Sequence, residues 1–274
     1  MFQFQSEKVT DHVRRIHGYS DEQMYLIEGR DRAALVDTGT GIGNLKTYVE
    51  QFTEKEIVVI LTHGHLDHAL GAKRFDTVYI NHQDDEVYER HKQPEFREMY
   101  YRIMPGYDAL EPGDYEEPMD IRRALDLADG QIFVLGGITL RVLACPGHTP
   151  GSMTVLVEEE RLLIIGDACN PFTFLFFPEA LGLSEYEENL KAYRKRVEGL
   201  YDRAVFCHGA VEEPAADIIE NVIEACEIVK RGEAVNIPVM FADGTRGLMA
   251  KAINEQFAHA DGKYGNIVYN PDKL

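Results

Sequence analysis

A short pattern of metal-binding residue types follows an apolar run near residue 60. The pattern H-x-H-x-D-H consists of His63, His65, Asp67 and His68. Imidazole nitrogen and carboxylate oxygen suit Zn²⁺, Fe or Mn²⁺ better than Ca²⁺. So many ligands in so short a loop exceed what one tetrahedral ion takes easily, so the pattern favours two ions, which in two-metal hydrolytic sites lie roughly 3.5–4 Å apart. We expect His63, His65 and Asp67 to alternate onto one face of an extended strand end, with His68 opening the next helix.

Three further residues of ligand type each follow a strand-like run. "LRVLACPGH" ends at His148, "RLLIIGD" ends at Asp167, and "RAVFCH" ends at His208. Each residue alone is more often a turn or cap residue. The repetition carries the argument, because histidines and aspartates at four strand ends match a dinuclear site with a bridging carboxylate.

The elements that must position these residues alternate along the chain. Strands are predicted by "MYLIEG", "AALVDTG", "EIVVILT", "TVYIN", "QIFVL", "ITLRVLAC", "SMTVLVEE", "RLLIIGDA" and "RAVFC". Helices are predicted by "GIGNLKTYVEQF", "HALGAKRF" and "SEYEENLKAYRKRVEGL", and near 212–231. This alternation predicts a layered α/β fold in one domain over 1–274.

Two segments differ from this alternation. Residues 81–130 hold 14 acidic and 6 basic residues and several tyrosines, interrupted by prolines and glycines. We expect an inserted, largely helical and mobile cap whose tyrosines face the metal site. Residues 233–274 form a C-terminal extension, in which "YGNIVYNP" predicts a late strand.

The amino-acid composition limits the classes of binding partner that we expect. The chain has 274 residues and a net charge of −19, which repels phosphate backbones, so nucleic acid is not an expected partner. The sequence has no apolar run that would span a bilayer. The stretch "MFQFQSEKVTDH" lacks the features of a signal peptide, so we expect a cytoplasmic protein without membrane contact. A small-molecule substrate is the expected partner, and an oligomer stays open.

Four cysteines without a CxxC spacing fit a reducing compartment. Cys145, Cys169 and Cys207 each lie within three residues of a candidate ligand. We expect ordinary small buried side chains there, and an auxiliary thiolate contact with a metal is the alternative.

Together, T-H-x-H-x-D-H, G-H-T-P-G-S, I-G-D-A and a strand-end H-G resemble the metallo-β-lactamase superfamily of hydrolases. The resemblance implies a four-layer αββα sandwich with the metals at one edge of two sheets. It implies that His63, His65 and His148 hold one metal. Asp67, His68 and His208 would hold the second, and Asp167 would bridge both. "LVDTG" also resembles the family's early strand, which implies that Asp37 orients the ligand loop, a turn aspartate being the alternative.

The resemblance implies two divalent ions, with zinc expected and Fe or Mn as alternatives. Asp67 and Asp167 would be the catalytic carboxylates that support a metal-bridging hydroxide. The ligand set resembles those of glyoxalase II and of the lactonases. Asp167 stands where the β-lactamases of the family have cysteine or serine, which disfavours a β-lactamase. Asn170 stands where many lactonases have tyrosine.

The segment "NPFTFLFFP" follows Asp167 directly and predicts an apolar pocket wall that includes Asn170, Phe172 and Phe174. With the cap as the other wall, the expected substrate is a small ester, thioester or lactone with an apolar part. Glutathione thioesters would need basic residues, and Arg246, Lys251 and Lys263 in the tail match no motif. A mononuclear Fe-dependent persulfide dioxygenase is the first alternative and a phosphodiesterase the second. A non-enzymatic metal-binding module is weaker, because all seven ligands are present.

Overall fold

Short strands make up most of the regular structure. The computed structural model describes residues 2–208, 216–254, 258–260 and 262–274. The α-helices of these residues are α1 (Leu45–Val49), α2 (Leu66–Ala69), α3 (Asp85–His91), α4 (Pro94–Arg102), α5 (Leu183–Val197) and α6 (Ile218–Lys230). The strands are β1 (Gln5–Lys8), β2 (Val13–His17), β3 (Gln23–Glu28), β4 (Ala33–Val36), β5 (Ile57–Ile60), β6 (Thr77–Ile80), β7 (Leu125–Asp126), β8 (Ile132–Val134), β9 (Thr139–Ala144), β10 (Met153–Val157), β11 (Leu162–Ile164), β12 (Thr173–Leu175), β13 (Arg203–Val205), β14 (Ile237–Met240), β15 (Arg246–Met249) and β16 (Ile267–Tyr269).

The first sheet has the strand order β1-β2-β3-β4-β5-β6-β7. Strands β4, β5 and β6 are parallel, and their apolar residues are buried on both faces, as parallel strands require. The carboxyl ends of β4 and β5 therefore meet at one edge. Asp37 follows β4 and the H-x-H-x-D-H loop follows β5, so both emerge there.

The second sheet has the order β13-β11-β10-β9-β8. Strands β11 and β13 are parallel, so Asp167 and His208, which follow them, emerge at the same edge. His148 lies in the connection between the antiparallel strands β9 and β10. The order and direction of the strands in the two sheets thus bring together the candidate ligands, which lie in four different loops.

Three apolar cores separate four layers. Val59 of β5 packs with α1 on one side of the first sheet, whereas its neighbour Ile60 packs between the two sheets. Ile164 of β11 also lies between the sheets, and its neighbour Leu163 packs against α5 and α6. This alternation follows the period of two along a strand. The order helix, sheet, sheet, helix confirms the predicted αββα sandwich.

A small third sheet was not predicted. Its order is β12-β16-β15-β14, so the strand that follows Asp167 pairs with the C-terminal extension. Strand β16 is the late strand predicted within "YGNIVYNP". The N-terminal pair β1 and β2 was also missed, because β1 is mostly exposed and neither QSEK nor VRRIH alternates apolar and polar residues.

The insert 81–130 contains α3, α4 and several single turns of 3₁₀-helix. Its last part pairs with the first sheet through β7, where Leu125 lies opposite Tyr79, so the chain rejoins the sandwich before residue 130. Mobility of the insert stays a prediction. Among the described residues, the helices are too short or too polar for any of them to cross a membrane.

Candidate metal centre

The H-x-H-x-D-H loop changes direction at His65. Strand β5 ends at Ile60, and the backbone of His65 is extended where it caps α2. Asp67 and His68 therefore both lie in the first turns of α2. The expectation that Asp67 continues an extended strand is wrong, because the helix begins one residue after His65. This change of direction separates the four side chains. His63 and His65 belong to one group of converging ligand atoms, and Asp67 and His68 belong to another.

His65 and His148 face each other through nitrogens that both carry lone pairs. His148 Nδ1 lies 2.7 Å from the carbonyl oxygen of Phe174, to which it donates. His65 Nε2 lies 2.9 Å from Oε1 of Glu179, to which it donates. These partners assign the protons, so His148 Nε2 and His65 Nδ1 are acceptors. The two acceptors are 3.0 Å apart, an arrangement that a shared cation stabilises.

His63 completes this first cluster. The Thr62 hydroxyl donates to Oδ2 of Asp37 at 2.8 Å, so it accepts from His63 Nδ1 at 3.0 Å. His63 Nε2 then carries the lone pair, and this buried atom has no hydrogen-bond partner among the described residues. One ligand atom each of His63, His65 and His148 lies within 4.8 Å of the others. This chemistry fits a metal ion.

The first cluster holds its imidazoles neutral. Burial and the neighbouring imidazoles lower the pKa of His63 well below its usual value. Burial, with His91 adding to it, lowers the pKa of His65 to about 3. Because neutral imidazole is the form that binds a metal, no proton has to leave these two rings first.

The second cluster consists of Asp67, His68 and His208. His68 Nδ1 donates to Oδ2 of Asp37 at 2.8 Å, which leaves His68 Nε2 to face the site. His68 Nε2 lies 3.1 Å from His208 Nε2 and 3.8 Å from Oδ1 of Asp67. His208 Nε2 lies 3.5 Å from Oδ2 of Asp67. These atoms also converge closely enough to share one ion.

Asp167 stands between the clusters. Its Oδ2 lies 3.5 Å from His68 Nε2 and 3.4 Å from His208 Nε2 in the second cluster. The same oxygen lies 3.8 Å from His148 Nε2 in the first cluster. Its other oxygen accepts a hydrogen bond of 3.1 Å from the side-chain amide of Asn170. One carboxylate thus reaches both clusters, which is the position of a bridging ligand.

The second cluster stabilises positive charge. Against the effect of burial, Asp67 and Asp167 raise the pKa of His68 well above its usual value. Burial likewise acts against His208, but Asp167 raises its pKa to about 9. Although burial opposes its ionisation, His208 and His68 hold the pKa of Asp167 well below its usual value. Divalent cations would supply the same positive charge in place of the protons.

Asp37 supports both clusters from behind. Its carboxylate accepts hydrogen bonds from the Thr62 backbone at 2.7 Å, from the Thr62 hydroxyl and from His68 Nδ1. Its backbone φ of 62° lies in the left-handed region, which aspartate tolerates better than most residues. This geometry goes beyond that of a turn aspartate, because the side chain orients a candidate ligand.

Asp84 is a supporting residue that the sequence analysis missed. Its carboxylate accepts from the Gly64 backbone at 2.8 Å, from the Thr149 hydroxyl at 2.7 Å and from the Gly151 backbone at 2.6 Å. These hydrogen bonds connect the loop that carries His63 and His65 to the loop that carries His148.

The cysteines near the site are buried thiols. Burial raises the pKa of Cys145 to about 12 and also raises that of Cys207. Cys207 Sγ donates to Oδ2 of Asp37 at 3.5 Å, behind His68. Cys145 and Cys169 pack in the core between the second sheet and its helices. Cys207 could also contribute to a metal-binding group with Asp37 and His68.

A cavity of about 390 Å³ opens directly over the two clusters. Asn170, Phe172 and Phe174, which were predicted for the pocket, line it. Further apolar lining comes from the insert, from the segment after Asp167 and from the C-terminal extension, namely Phe96, Tyr100, Met104, Phe177 and Phe241. The expectation that the tyrosines of the insert face the site is met by Tyr100 and is wrong for Tyr88 and Tyr101, whose hydroxyls donate to backbone carbonyls away from the cavity.

Histidines are the basic residues among the described residues that line the cavity. None of the described residues that line it is Lys or Arg, and this includes Arg246, Lys251 and Lys263 of the tail. The segments outside the described residues contain no Lys or Arg in the sequence. Asp21 adds a carboxylate to the lining. Away from the two clusters, the cavity wall therefore suits an uncharged apolar group better than an anionic one.

An αββα sandwich with clustered histidines and aspartates at one edge of its sheets defines a class of metal-binding proteins. Residues 19–208 match the family model of the metallo-β-lactamase superfamily. The chain belongs to that superfamily, so the resemblance noted in the sequence is confirmed.

Three curated relatives are similar at low identity. The human acyl-coenzyme A thioesterase MBLAC2 is 26% identical over 162 residues, which cover 53% of this chain and 57% of the relative. The hydroxyacylglutathione hydrolase GloC of Haemophilus influenzae is 27% identical, over 65% of this chain and 79% of the relative. The atrochrysone carboxyl ACP thioesterase of Aspergillus chevalieri is 27% identical, over 52% of this chain and 38% of the relative. The match thus spans little more than half the length of the human relative.

Solved structures agree on the fold. A metallo-β-lactamase from Pontibacter korlensis superposes with a TM-score of 0.60 at 16% identity, over 82% of this chain and 99% of that chain. The sec-alkylsulfatase Pisa1 from Pseudomonas sp. superposes with a TM-score of 0.64 at 15% identity, over 83% and 42%.

Proposed function

We propose that this protein is a metal-dependent hydrolase that binds two divalent ions and cleaves an acyl thioester or ester with an apolar acyl part. The observation that carries the proposal is the position of Asp167, whose Oδ2 lies within 3.8 Å of nitrogens from both clusters, at the floor of an aromatic cavity. When bound, two cations at this place would lower the pKa of a shared water and supply hydroxide near neutral pH.

The protein's own residues have separate tasks in this proposal. His63, His65 and His148 would hold one ion, and Asp67, His68 and His208 would hold the other. Asp167, which reaches histidine nitrogens of both clusters, would be a ligand available to both ions. Asp37 and Asp84 keep the ligand loops in place through their hydrogen bonds. The aromatic wall excludes water and holds the acyl part against the floor of the cavity.

Zinc is the metal we propose, with Fe or Mn as the alternatives. Histidine nitrogens and aspartate oxygens are ligands for all three. The two complete clusters support a pair of ions. A persulfide dioxygenase with one Fe differs from the proposal in both metal count and oxygen use, so measurement separates them.

The substrate class follows from the cavity wall and from the relatives. The three relatives named above are called thioesterases or a hydroxyacylglutathione hydrolase. In this chain the described lining lacks Lys and Arg. We therefore propose a leaving group that is uncharged where it lies in the cavity. A phosphodiester, whose charge two bound cations would balance, remains the second alternative and is tested in the substrate panel.

The test combines metal analysis with a substrate panel. We expect two equivalents of metal per chain in freshly purified protein or after addition of Zn²⁺, Mn²⁺ or Fe²⁺. We expect hydrolysis of acyl N-acetylcysteamine thioesters, with kcat/KM rising as the acyl chain lengthens, because each buried methylene contributes about 0.8 kcal/mol. Matched coenzyme A thioesters, glutathione thioesters, lactones and a bis-aryl phosphate complete the panel. At most one equivalent of metal, with oxygen uptake on a persulfide, would replace this proposal by the dioxygenase.

A further inference from the structure

Glu179 joins a candidate ligand to the insert. It lies between β12 and α5, and its side chain is 5% exposed. Its Oε1 accepts a hydrogen bond of 2.9 Å from His65 Nε2 and forms an ion pair of 2.5 Å with Arg90 at the end of α3. Because arginine stays protonated, this pairing keeps Glu179 as a carboxylate.

The ring of His65 is also held from its face. His91, the last residue of α3, stacks on it with ring centroids 4.5 Å apart and an angle of 5° between the planes. His91 Nδ1 accepts from the backbone of Leu66 at 3.3 Å, which fixes His91 against the start of α2. The plane of His65 and the proton on its Nε2 are therefore both set by groups outside the ligand cluster.

Only one tautomer of His65 serves the first cluster. His65 Nδ1 points at His148 Nε2, so it must carry a lone pair to bind an ion there. The carboxylate of Glu179 holds the proton on the opposite nitrogen and makes Nδ1 more basic. A neutral acceptor at position 179 would hold the proton on His65 Nε2 less well. An amide there would also direct N–H donors toward Arg90, which is itself a donor.

We propose that Glu179 is a positioning residue that sets the tautomer and plane of His65 and thereby the affinity of the His63–His65–His148 site. This inference rests on the metal centre of the proposed function. Because Arg90 and His91 belong to the insert, the same contacts couple the placement of the insert to the metal site.

The chain supplies a matched control. Glu187 on α5 is also a buried glutamate, 4% exposed, and it pairs with Lys191 at 2.6 Å and Lys230 at 2.9 Å. It contacts none of the candidate ligands in the described structure. Glu187→Gln therefore reproduces the loss of a buried ion-paired carboxylate without touching His65.

The experiment measures metal affinity by competition with a chromophoric chelator in the wild type, Glu179→Gln and Glu187→Gln. We expect Glu179→Gln to weaken one of two equivalents by about 10–100-fold, the range for partners of metal-binding histidines. The other equivalent should stay unchanged, and Glu187→Gln should change neither. In metal-free protein, ¹⁵N NMR of the histidine rings should show the Nε2–H tautomer of His65 in the wild type and a mixture in Glu179→Gln.

Unchanged affinity in Glu179→Gln, or equal losses in Glu179→Gln and Glu187→Gln, would overturn the proposal. If Glu179→Gln does not fold, Glu179→Asp keeps the charge beside Arg90 but shortens the reach to His65, and an unchanged affinity there would overturn it as well. Fewer than two equivalents in the wild type would contradict the proposed function alone, because the tautomer comparison in metal-free protein still tests Glu179.

Discussion

Tyr100 of the insert donates a hydrogen bond of 3.0 Å to Oδ2 of Asp67. Its ring lines the cavity, so one side chain belongs both to the substrate wall and to the support of the second cluster. Burial, together with the charge of Asp67, raises the pKa of Tyr100 well above its usual value, so its hydroxyl stays a donor. The insert therefore contacts the candidate ligand Asp67 through Tyr100 and the candidate ligand His65 through His91.

We expect Tyr100→Phe to weaken the Asp67–His68–His208 site about tenfold, because loss of a ligand's hydrogen-bond partner typically costs 10–100-fold in metal affinity or activity. The ring remains, so the cavity wall and the melting temperature should change little. Chelator competition and turnover measure the effect. Tyr101→Phe is the control, because its hydroxyl donates to the Thr40 carbonyl at 2.7 Å, away from the cavity. Equal effects of the two variants would contradict a specific role for Tyr100.

Asp167→Asn tests the bridging role. The substitution keeps the size of the side chain but removes the negative charge that two cations need. We expect weaker occupancy of the second site and a loss of at least about 10²-fold in turnover, while the fold survives because Asp167 follows a strand end. Metal analysis measures the occupancy of the second site, circular dichroism measures the fold, and hydrolysis of a thioester measures the turnover. Near wild-type activity would show that one metal suffices and would favour the mononuclear alternative.

The candidate ligands could be predicted from the sequence because strand ends are visible as apolar runs followed by His or Asp. His148 and Asp167 were predicted from their place after β9 and β11 together with the repetition of this pattern at the other strand ends. Glu179 could not be found in this way, because its partner His65 lies 114 residues away. The only local signal was a single acid at the end of "NPFTFLFFP".

Distance in sequence also explains the other omissions. Asp84 meets Gly151 across 67 residues, and no spacing rule predicts which of the acids near 84 turns inward. The third sheet was missed because β12 and β16 have three residues each, and their parallel pairing of Thr173 with Ile267 leaves no local pattern. Local periodicity thus predicted the strands and helices of a layered α/β fold, and the family resemblance implied its four layers. Tertiary contacts decided the support of the site.

Phe241→Ala tests whether the C-terminal extension shapes substrate choice. Phe241 lines the cavity and packs edge-on against Phe177, with ring centroids 5.0 Å apart. Its truncation should enlarge the cavity, so we expect kcat/KM to fall several-fold for short acyl chains and the optimum to move to longer ones, at about 0.8 kcal/mol for each methylene newly buried. A chain-length series of acyl thioesters measures this shift. Phe52→Ala is the control, because Phe52 packs against Tyr48 and Arg14 instead. A parallel loss at every chain length would contradict the prediction.

The ion pairs of Glu187 predict a pH dependence of stability that is separate from the metal site. Although burial acts against it, the hydrogen bonds from Lys191 and Lys230 lower the pKa of Glu187 below its usual value. A lowered pKa in the folded state contributes stability above the unfolded value of about 4.3 and loses it as the pH falls through the folded value. We therefore expect Glu187→Gln to be less stable than the wild type at pH 7, by about 1 kcal/mol or less, since both lysines are partly exposed. The difference should shrink as the pH falls from about 4.3 toward the lower folded value, below which the carboxyl group is protonated in both states and resembles the amide. Urea unfolding of both proteins in a metal-free buffer between neutral and acidic pH measures it, and a difference that grows on acidification would contradict the assignment.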